Sequence, residues 1–140
     1  MAASPVASSR LALAVVGAHL TGQPLNHQLT ELGATLRMRA TTAPRYRLVA
    51  LATEPPKPGL LRVSEVMPAI ECEVWWLPLE QVGQFLSKVS APLAIGQLEL
   101  STGEWVHGFL CEHHATIGAR DITGFGSWLR YRESLTSERG

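Results

Sequence analysis

Glycine and proline interrupt the apolar segments of this chain at short intervals. The 140 residues include 12 glycines and 9 prolines, and several are clustered, as in Pro55–Gly59. Short apolar segments bounded by such residues are typical of β-strands joined by turns. No apolar run approaches the roughly 20 residues of a membrane-spanning helix. The chain is therefore expected to fold mainly into short strands, with no membrane partner.

The composition indicates one ordinary globular domain. Hydrophobic residues make up 46% of the chain and charged residues 17%, which excludes a disordered protein. We place the domain at residues 11–133, with residues 1–10 as a disordered lead-in and residues 134–140 as a frayed tail. Leu11–Val16 has the apolar character of a signal peptide, but a first buried strand explains it better. A cytoplasmic location is the expectation that follows.

The formal net charge is zero, but the charges are unevenly distributed. Residues 1–62 carry seven basic and two acidic side chains, whereas residues 63–140 carry five basic and ten acidic ones. A neutral chain has no overall field that attracts nucleic acid, so nucleic acid is not an expected partner. The asymmetry leaves two interpretations open. The halves pair across the fold, or the first half builds a local anion site.

Alternation of apolar and polar residues predicts most of the strands. The clearest is Ala69–Leu77, in which Cys72 and Val74 share one face and Glu71 and Glu73 the other. Further strands are predicted at Leu11–Val16, Ala34–Thr41, Tyr46–Ala52, Gln97–Leu100 and Trp105–Glu112. Short helices are predicted from Asn26 to about Leu32, from Pro78 to Leu86 and over Ser127–Glu133, and Pro55–Gly59 is predicted to be a stiff turn. This order favours the α+β class, as a small, mostly antiparallel β-barrel with short flanking helices.

The loop after the first predicted strand holds the candidate anion site. It begins at Gly17, and glycine lets the backbone approach a ligand closely. Successive backbone amides in such a loop can bind an anion, which makes Gly17, Ala18, His19 and Leu20 candidate substrate-binding residues. His27 lies at the start of the predicted helix, where the helix dipole tends to keep an imidazole neutral.

Other polar residues give weaker indications of a catalytic or metal-binding role. Lys57 lies in a rigid proline-rich loop that would aim its ammonium group at an anion or leave it in water. Glu71 and Glu73 would form an acid/base pair if their strand face is enclosed, and ordinary surface acids if it is not. The five histidines lack the spacing of a metal site, and the two cysteines are too few for a cysteine-only zinc site. Neither a metal nor a cofactor is expected.

Six segments, in this order along the chain, are similar to one known family. They are GAHLTGQPLNHQL (17–29), TAPRYRLVAL (42–51), PPKPGL (55–60), APLAIGQLEL (91–100), GFLCE (108–112) and ARDITGFGSWLRY (119–131). Together they resemble the C-terminal domain of allophanate hydrolase, a member of the γ-glutamylcyclotransferase-like superfamily. The resemblance implies a small barrel with flanking helices.

The resemblance also implies an activity in urea degradation. In that family an amidase domain hydrolyses allophanate, and the C-terminal domain is thought to remove carbon dioxide from the product, taken here as N-carboxyurea. The chain lacks an amidase core, so a separate amidase subunit or domain is the implied partner. A small anionic urea derivative is the implied ligand.

Roles in this chemistry can be assigned to residues of this chain. The amides of the Gly17 loop would bind the carboxylate, and Asn26 would hold the urea end. His27 is the candidate proton donor, and Lys57, Tyr46 or Arg47 would balance the negative charge.

Two departures from the superfamily keep alternatives open. The substrate loop reads Val16-Gly17-Ala18-His19-Leu20 and lacks the usual hydroxyl residue. The segment Leu77–Gly83 lacks the Asp-x-x-Glu-Gly pattern of cyclotransferases, which puts Glu80 in doubt as a catalyst. A cyclotransferase acting on γ-glutamyl compounds would need Glu71, Glu73 or Glu80 to face the Gly17 loop. A non-catalytic module that docks on an amidase would instead expose an apolar patch.

Overall fold

The computed structural model describes residues 9–139, so the predicted lead-in lies almost entirely outside the described residues. The strands are β1 (Arg10–Val15), β2 (Thr35–Thr41), β3 (Tyr46–Leu51), β4 (Lys57–Arg62), β5 (Glu71–Pro78), β6 (Leu93–Glu99), β7 (Trp105–Cys111) and β8 (Arg120–Asp121). The helices are α1 (His27–Thr30), α2 (Val82–Leu86) and α3 (Trp128–Arg139). This arrangement confirms the α+β class.

The larger sheet has five strands in the order β2-β5-β1-β7-β6. β1 is flanked on both sides, antiparallel to β5 and parallel to β7. The remaining pairs of the sheet are antiparallel. Leu13, Ala14 and Val15 are all almost completely buried, which explains why this segment is apolar without alternation. The loop that follows β1 therefore starts at the middle of the sheet.

The smaller sheet has three strands in the order β4-β3-β8. The prediction that Pro55–Gly59 forms a turn is wrong for its second half, because Lys57 already begins β4. Proline removes a backbone donor, but an edge strand tolerates it, and β4 is an edge strand. β8 has only two residues, too few for an alternating pattern to show.

The predicted closed barrel is not confirmed, because the described strands form two sheets. The outer strands of the larger sheet do meet at one end, where Thr42 and Leu100 form an isolated antiparallel bridge. The amide of Ser101 donates to the carbonyl of Thr41 at 2.9 Å beside it. The sheet therefore curls until its two edges meet at one end, where the amide of Ala43 also donates to the carbonyl of Glu99 at 2.9 Å.

One hydrophobic core fills the space between the two sheets. It includes Leu13 and Leu98 from the larger sheet, and Tyr46, Leu48 and Leu60 from the smaller one. The core depends on both sheets, so neither is expected to be stable alone.

The helices differ in their limits from the predictions. Pro78 ends β5 instead of starting a helix, and a 3₁₀ turn at Leu79–Gln81 precedes α2. α3 continues to Arg139 and takes in most of the predicted tail. No helix among residues 9–139 is long and apolar enough to cross a membrane.

The charge asymmetry corresponds to pairing across the fold. Three ion pairs join a base from the first half to an acid from the second: Arg37 with Glu104, Arg47 with Asp121, and Arg62 with Glu99. Lys57 takes part in no ion pair among the described residues. The two interpretations of the charges are therefore compatible.

Candidate active site

A small cleft lies where β1 ends and β4 begins. Gly17 allows the approach, because a Cβ at this position would lie 2.2 Å from Cδ of Pro58. The space measures about 20 Å³. Its lining consists of Val15, Val16, Gly17, Ala18, His19, Lys57, Pro58, Leu93 and Phe109. His19 and Lys57 are the titratable side chains of this lining.

The imidazole of His19 is held by aromatic rings and one hydrogen bond. Its ring stacks on Phe109 at a centroid distance of 4.8 Å and meets the edge of Phe85 at 5.6 Å. Its Nε2 lies 2.8 Å from Oε1 of Gln28. An amide oxygen only accepts, so Nε2 carries the hydrogen in the neutral ring and Nδ1 is left as the basic atom. Nδ1 has no hydrogen-bond partner within residues 9–139.

The pKa of His19 is lowered from its ordinary value of 6.5. Burial is the largest cause, since a buried site disfavours the charged imidazolium. The hydrogen bond to Gln28 opposes this shift, and the positive charge of Lys57 adds to it. In the absence of a ligand, His19 is therefore neutral at pH 7.

Three backbone amides of the Gly17 loop remain available to donate hydrogen bonds to a ligand. The amides of Gly17, Ala18 and His19 donate to no acceptor among the described residues. Leu20, the fourth residue expected to bind substrate through its amide, does not fit that role, because this amide donates to the carbonyl of Gly17 at 3.0 Å. The free amides and the ammonium group of Lys57 give the cleft positive character without a neutralising acid in its lining.

Asn26 and His27 lie beside the cleft and not in its lining. The side chain of Asn26 donates from Nδ2 to the carbonyl of His19 at 2.9 Å and makes no helix cap. It positions the loop. His27 is exposed, and its Nδ1 lies 3.0 Å from the carbonyl of Pro24. His19 therefore lines the cleft, whereas His27, the candidate from the sequence, does not.

Tyr46 and Arg47 are remote from the cleft lining. Tyr46 is fully buried, and its hydroxyl accepts from the amide of Glu99 at 2.9 Å, so it is a core residue. Arg47 pairs with Asp121 at 3.2 Å on the smaller sheet. Neither can balance an anion in the cleft, because each already has a structural partner elsewhere.

The three candidate carboxylates lie outside the cleft lining. Glu71 forms an ion pair with Arg130, and Glu80 is exposed on the 3₁₀ turn before α2. Glu73 is buried, but it lines a second groove. The cleft lining includes no carboxylate, but Glu73 contacts the Gly17 loop through Thr21, which is the placement that the cyclotransferase alternative requires.

Sequence reasoning overlooked Gln28, Phe85 and Phe109 as partners of His19. Gln28 follows His27 directly in GQPLNHQL, so its position in a resembling segment was the available signal. The two phenylalanines come from α2 and β7, which are distant along the chain, and no local pattern indicates that they meet His19.

The sequence model of the family described as "Allophanate hydrolase C-terminal domain" matches residues 11–133. The chain belongs to this family. Urea amidolyase of Lachancea kluyveri is 44% identical over 131 residues, which are 90% of this chain and 7% of that protein. The chain thus spans only a small part of the curated relatives it matches.

Solved structures agree with this membership. Kluyveromyces lactis allophanate hydrolase matches with a TM-score of 0.87 and 42% identity, over 90% of this chain and 21% of that chain. The E. coli protein c4763 matches with a TM-score of 0.83 and 35% identity, over 89% of this chain and 96% of that chain. Solved proteins with 14 to 21% identity share the fold alone, which is the cyclotransferase-like one.

Proposed function

We propose that this domain removes carbon dioxide from the product that an amidase makes from allophanate. Balancing the atoms of the amidase reaction shows that its product cannot be N-carboxyurea, the substrate expected from the resemblance. N-Carboxyurea is allophanate itself, and hydrolysis of its terminal amide releases ammonia and leaves N-carboxycarbamate, a nitrogen with two carboxylates. One proton and this dianion give carbon dioxide and carbamate, which then decomposes to ammonia and a second carbon dioxide.

The cleft offers what a small dianion needs for binding. The ammonium group of Lys57 supplies a positive charge, and the amides of Gly17, Ala18 and His19 supply hydrogen-bond donors. About 20 Å³ is room for roughly one water-sized group, so the cleft would enclose one carboxylate and leave the rest of the substrate at its mouth.

His19 is the proposed proton donor. The neutral imidazole has an open Nδ1, and a dianion beside it raises the pKa of His19 by opposing the effect of burial. The imidazolium would then protonate the nitrogen as its bond to the departing carboxylate breaks. General acid catalysis of this kind contributes about 10²- to 10⁴-fold. The observation that carries the proposal is the meeting of His19, Lys57 and free amides in one cleft.

The amidase partner and the cytoplasmic location belong to this proposal. A docking module without chemistry is the competing hypothesis, because the chain spans 7% of the urea amidolyase it matches. A docking module would stabilise the amidase and leave the rate of carbon dioxide release unchanged.

The test compares two neighbouring histidines. An amidase and ¹³C-labelled allophanate generate the substrate at a pH where its spontaneous decomposition is slow, and membrane-inlet mass spectrometry follows ¹³CO₂. We expect the wild-type chain to accelerate release and His19→Asn to reduce that acceleration about 10²-fold or more. His27→Ala is the matched control and should retain the wild-type rate, because His27 is exposed and outside the cleft lining.

Two results would contradict the proposal. Acceleration that survives His19→Asn removes His19 from its role. Absence of acceleration by the wild-type chain, together with a raised melting temperature of the amidase, favours the docking module.

A further inference from the structure

A second and much larger groove begins where the cleft ends. His19 lines the cleft, and the next two residues, Leu20 and Thr21, line this groove. β2, β5, the turn at 101–102 and the start of α3 provide its other walls. The space is about 750 Å³, a volume typical of sites for small molecules.

Glu73 is a buried acid in this groove without a positive partner. The residue is only 7% exposed. Its Oε1 accepts from the amide and the hydroxyl of Thr21, at 2.9 and 3.0 Å, and from the indole N–H of Trp75 at 3.1 Å. All three donors are neutral, and Glu73 forms no ion pair within residues 9–139. A buried carboxylate is rarely left without a counter-charge.

The other oxygen of Glu73 is open to the groove. Oε2 takes part in no hydrogen bond with the described residues. None of their side-chain oxygens is both sealed from solvent and unbonded, so Oε2 has access to the outside. A donor from a ligand can therefore reach it.

Arg39 is a second charge without a partner. It lies directly opposite Glu73 in the antiparallel ladder of β2 and β5, and both residues line the groove. Arg39 is exposed and forms neither an ion pair nor a ring contact with the described residues. Opposed residues of opposite charge ordinarily pair across strands. Here the carboxylate of Glu73 instead accepts hydrogen bonds from Thr21 and Trp75.

The rest of the lining combines polar groups with apolar side chains such as Leu20, Met38 and Leu129. Arg130 already neutralises Glu71, the other acid of the groove. Hydroxyl groups of Thr41, Ser101 and Ser127 are spread along the walls. Glu73 and Arg39 therefore remain as two opposite charges, neither of them in an ion pair, on one wall of the groove.

We propose that this groove binds a small zwitterion, with its ammonium group on Glu73 and its carboxylate on Arg39. A ligand with a single charge would form an ion pair with one of the two side chains and leave the other without an ion-pair partner. N-Carboxycarbamate has no positive group and does not fit here, so this site is independent of the proposed decarboxylation.

The experiment titrates the ¹⁵N-labelled chain with simple zwitterions and follows backbone amides by NMR. The probes are glycine, β-alanine and γ-aminobutyrate, which differ in the distance between their charges. Propionate and propylamine are the single-charge controls. We expect one zwitterion to shift the amides of Thr21, Arg39 and Ser101 and to bind at least about tenfold more tightly than either control.

Two charge-neutralising variants assign the binding to the groove. Arg39→Gln alters an exposed side chain, and Glu73→Gln keeps an acceptor oxygen for Thr21 and Trp75, so both should fold. Each should weaken zwitterion binding at least about tenfold. Arg45→Gln is the matched control, because Arg45 is exposed and lies outside the groove lining.

Three outcomes would overturn the proposal. The first is that none of the zwitterions shifts these amides at about 10 mM, a concentration at which even a weakly binding charged site is occupied. The second is that a single-charge control binds as tightly as the zwitterions. The third is that the affinity for the zwitterion is unchanged in both groove variants.

Discussion

At the scale of single residues, the cleft depends on a glycine that touches a proline ring. Any side chain at position 17 would overlap Pro58, whose ring belongs to the backbone of β4 and cannot rotate away. The end of β1 and the start of β4 are therefore packed directly against each other. This contact fixes the relative positions of His19 and Lys57.

Gly17→Ala tests this contact. The added methyl group requires the loop or β4 to move, which should lower the free energy of unfolding by about 1–3 kcal/mol. Gly83→Ala is the control, since nothing lies within 4 Å of a Cβ there and alanine favours the helix α2. Unfolding in guanidinium chloride measures both, and equal losses in the two variants would refute the argument.

The buried imidazole makes stability depend on pH. The folded-state pKa of His19 lies below its unfolded value of 6.5, so the unfolded chain binds more protons between these two values. Stability should therefore fall as the pH is lowered through 6.5 and should level off below the folded-state pKa. His19→Gln removes this contribution, and thermal melts of both proteins between about pH 5 and 8 measure the difference. Parallel curves would contradict it.

Residue chemistry identified the loop that lines the cleft as a candidate anion site, but it did not distinguish the buried His19 from the exposed His27. Both are histidines near the same glycine, and their roles differ because of Phe85, Phe109 and Gln28. Burial of His19 arises from contacts between distant segments, which sequence periodicity does not report.

At the scale of elements, β5 links the cleft to the zwitterion groove. Its Glu73 accepts two hydrogen bonds from Thr21, just after the residues that line the cleft. The indole of Trp75 donates to the same oxygen. One carboxylate on a central strand therefore anchors the far end of the Gly17 loop.

Glu73→Ala should be much more costly than Glu71→Ala. The first change leaves the amide of Thr21 and the indole of Trp75 without their acceptor, and we expect a loss of more than about 2 kcal/mol in unfolding free energy. The second removes an exposed ion pair, which contributes about 0–1 kcal/mol. Chemical denaturation of the two variants gives the comparison, and a loss at Glu73 no greater than that at Glu71 would rule out the anchor.

The elements could largely be predicted, with failures that have physical causes. Alternation identified β2, β3 and β7 closely, because each has one face towards the core. β4 was missed because Pro58 and Gly59 resemble a turn, although an edge strand accepts both. Pro78 suits a helix start, yet it pairs with Arg10 at the end of β5.

At the scale of the whole molecule, the charge pattern along the sequence becomes a pattern of contacts. Arg37, Arg47 and Arg62 find acids from the other half of the chain, whereas Lys57 is left in the cleft and Arg39 in the groove. Surface pairs of this kind add little stability each. Their consequence is that one basic side chain without an ion pair remains at each of the two sites proposed for ligands.

The order of strands was beyond prediction from local patterns. β1 pairs with β5 and β7, which are far away in sequence, and the two edges of the larger sheet meet around Thr42 and Leu100. Alternation determines which face of a strand is buried and carries no information on which strand lies beside it. The order of the predicted elements and the resemblance to a known family both led to the expectation of a small barrel, and a closed barrel is not confirmed.

Pro58 has a further effect besides its contact with Gly17. It lies in the outermost strand of the smaller sheet and has no amide hydrogen to offer. Strand edges are the usual templates for intermolecular β-sheet growth, and a missing donor interrupts such a template. The residue that shapes the cleft therefore also leaves one position of this strand without a donor for a further strand.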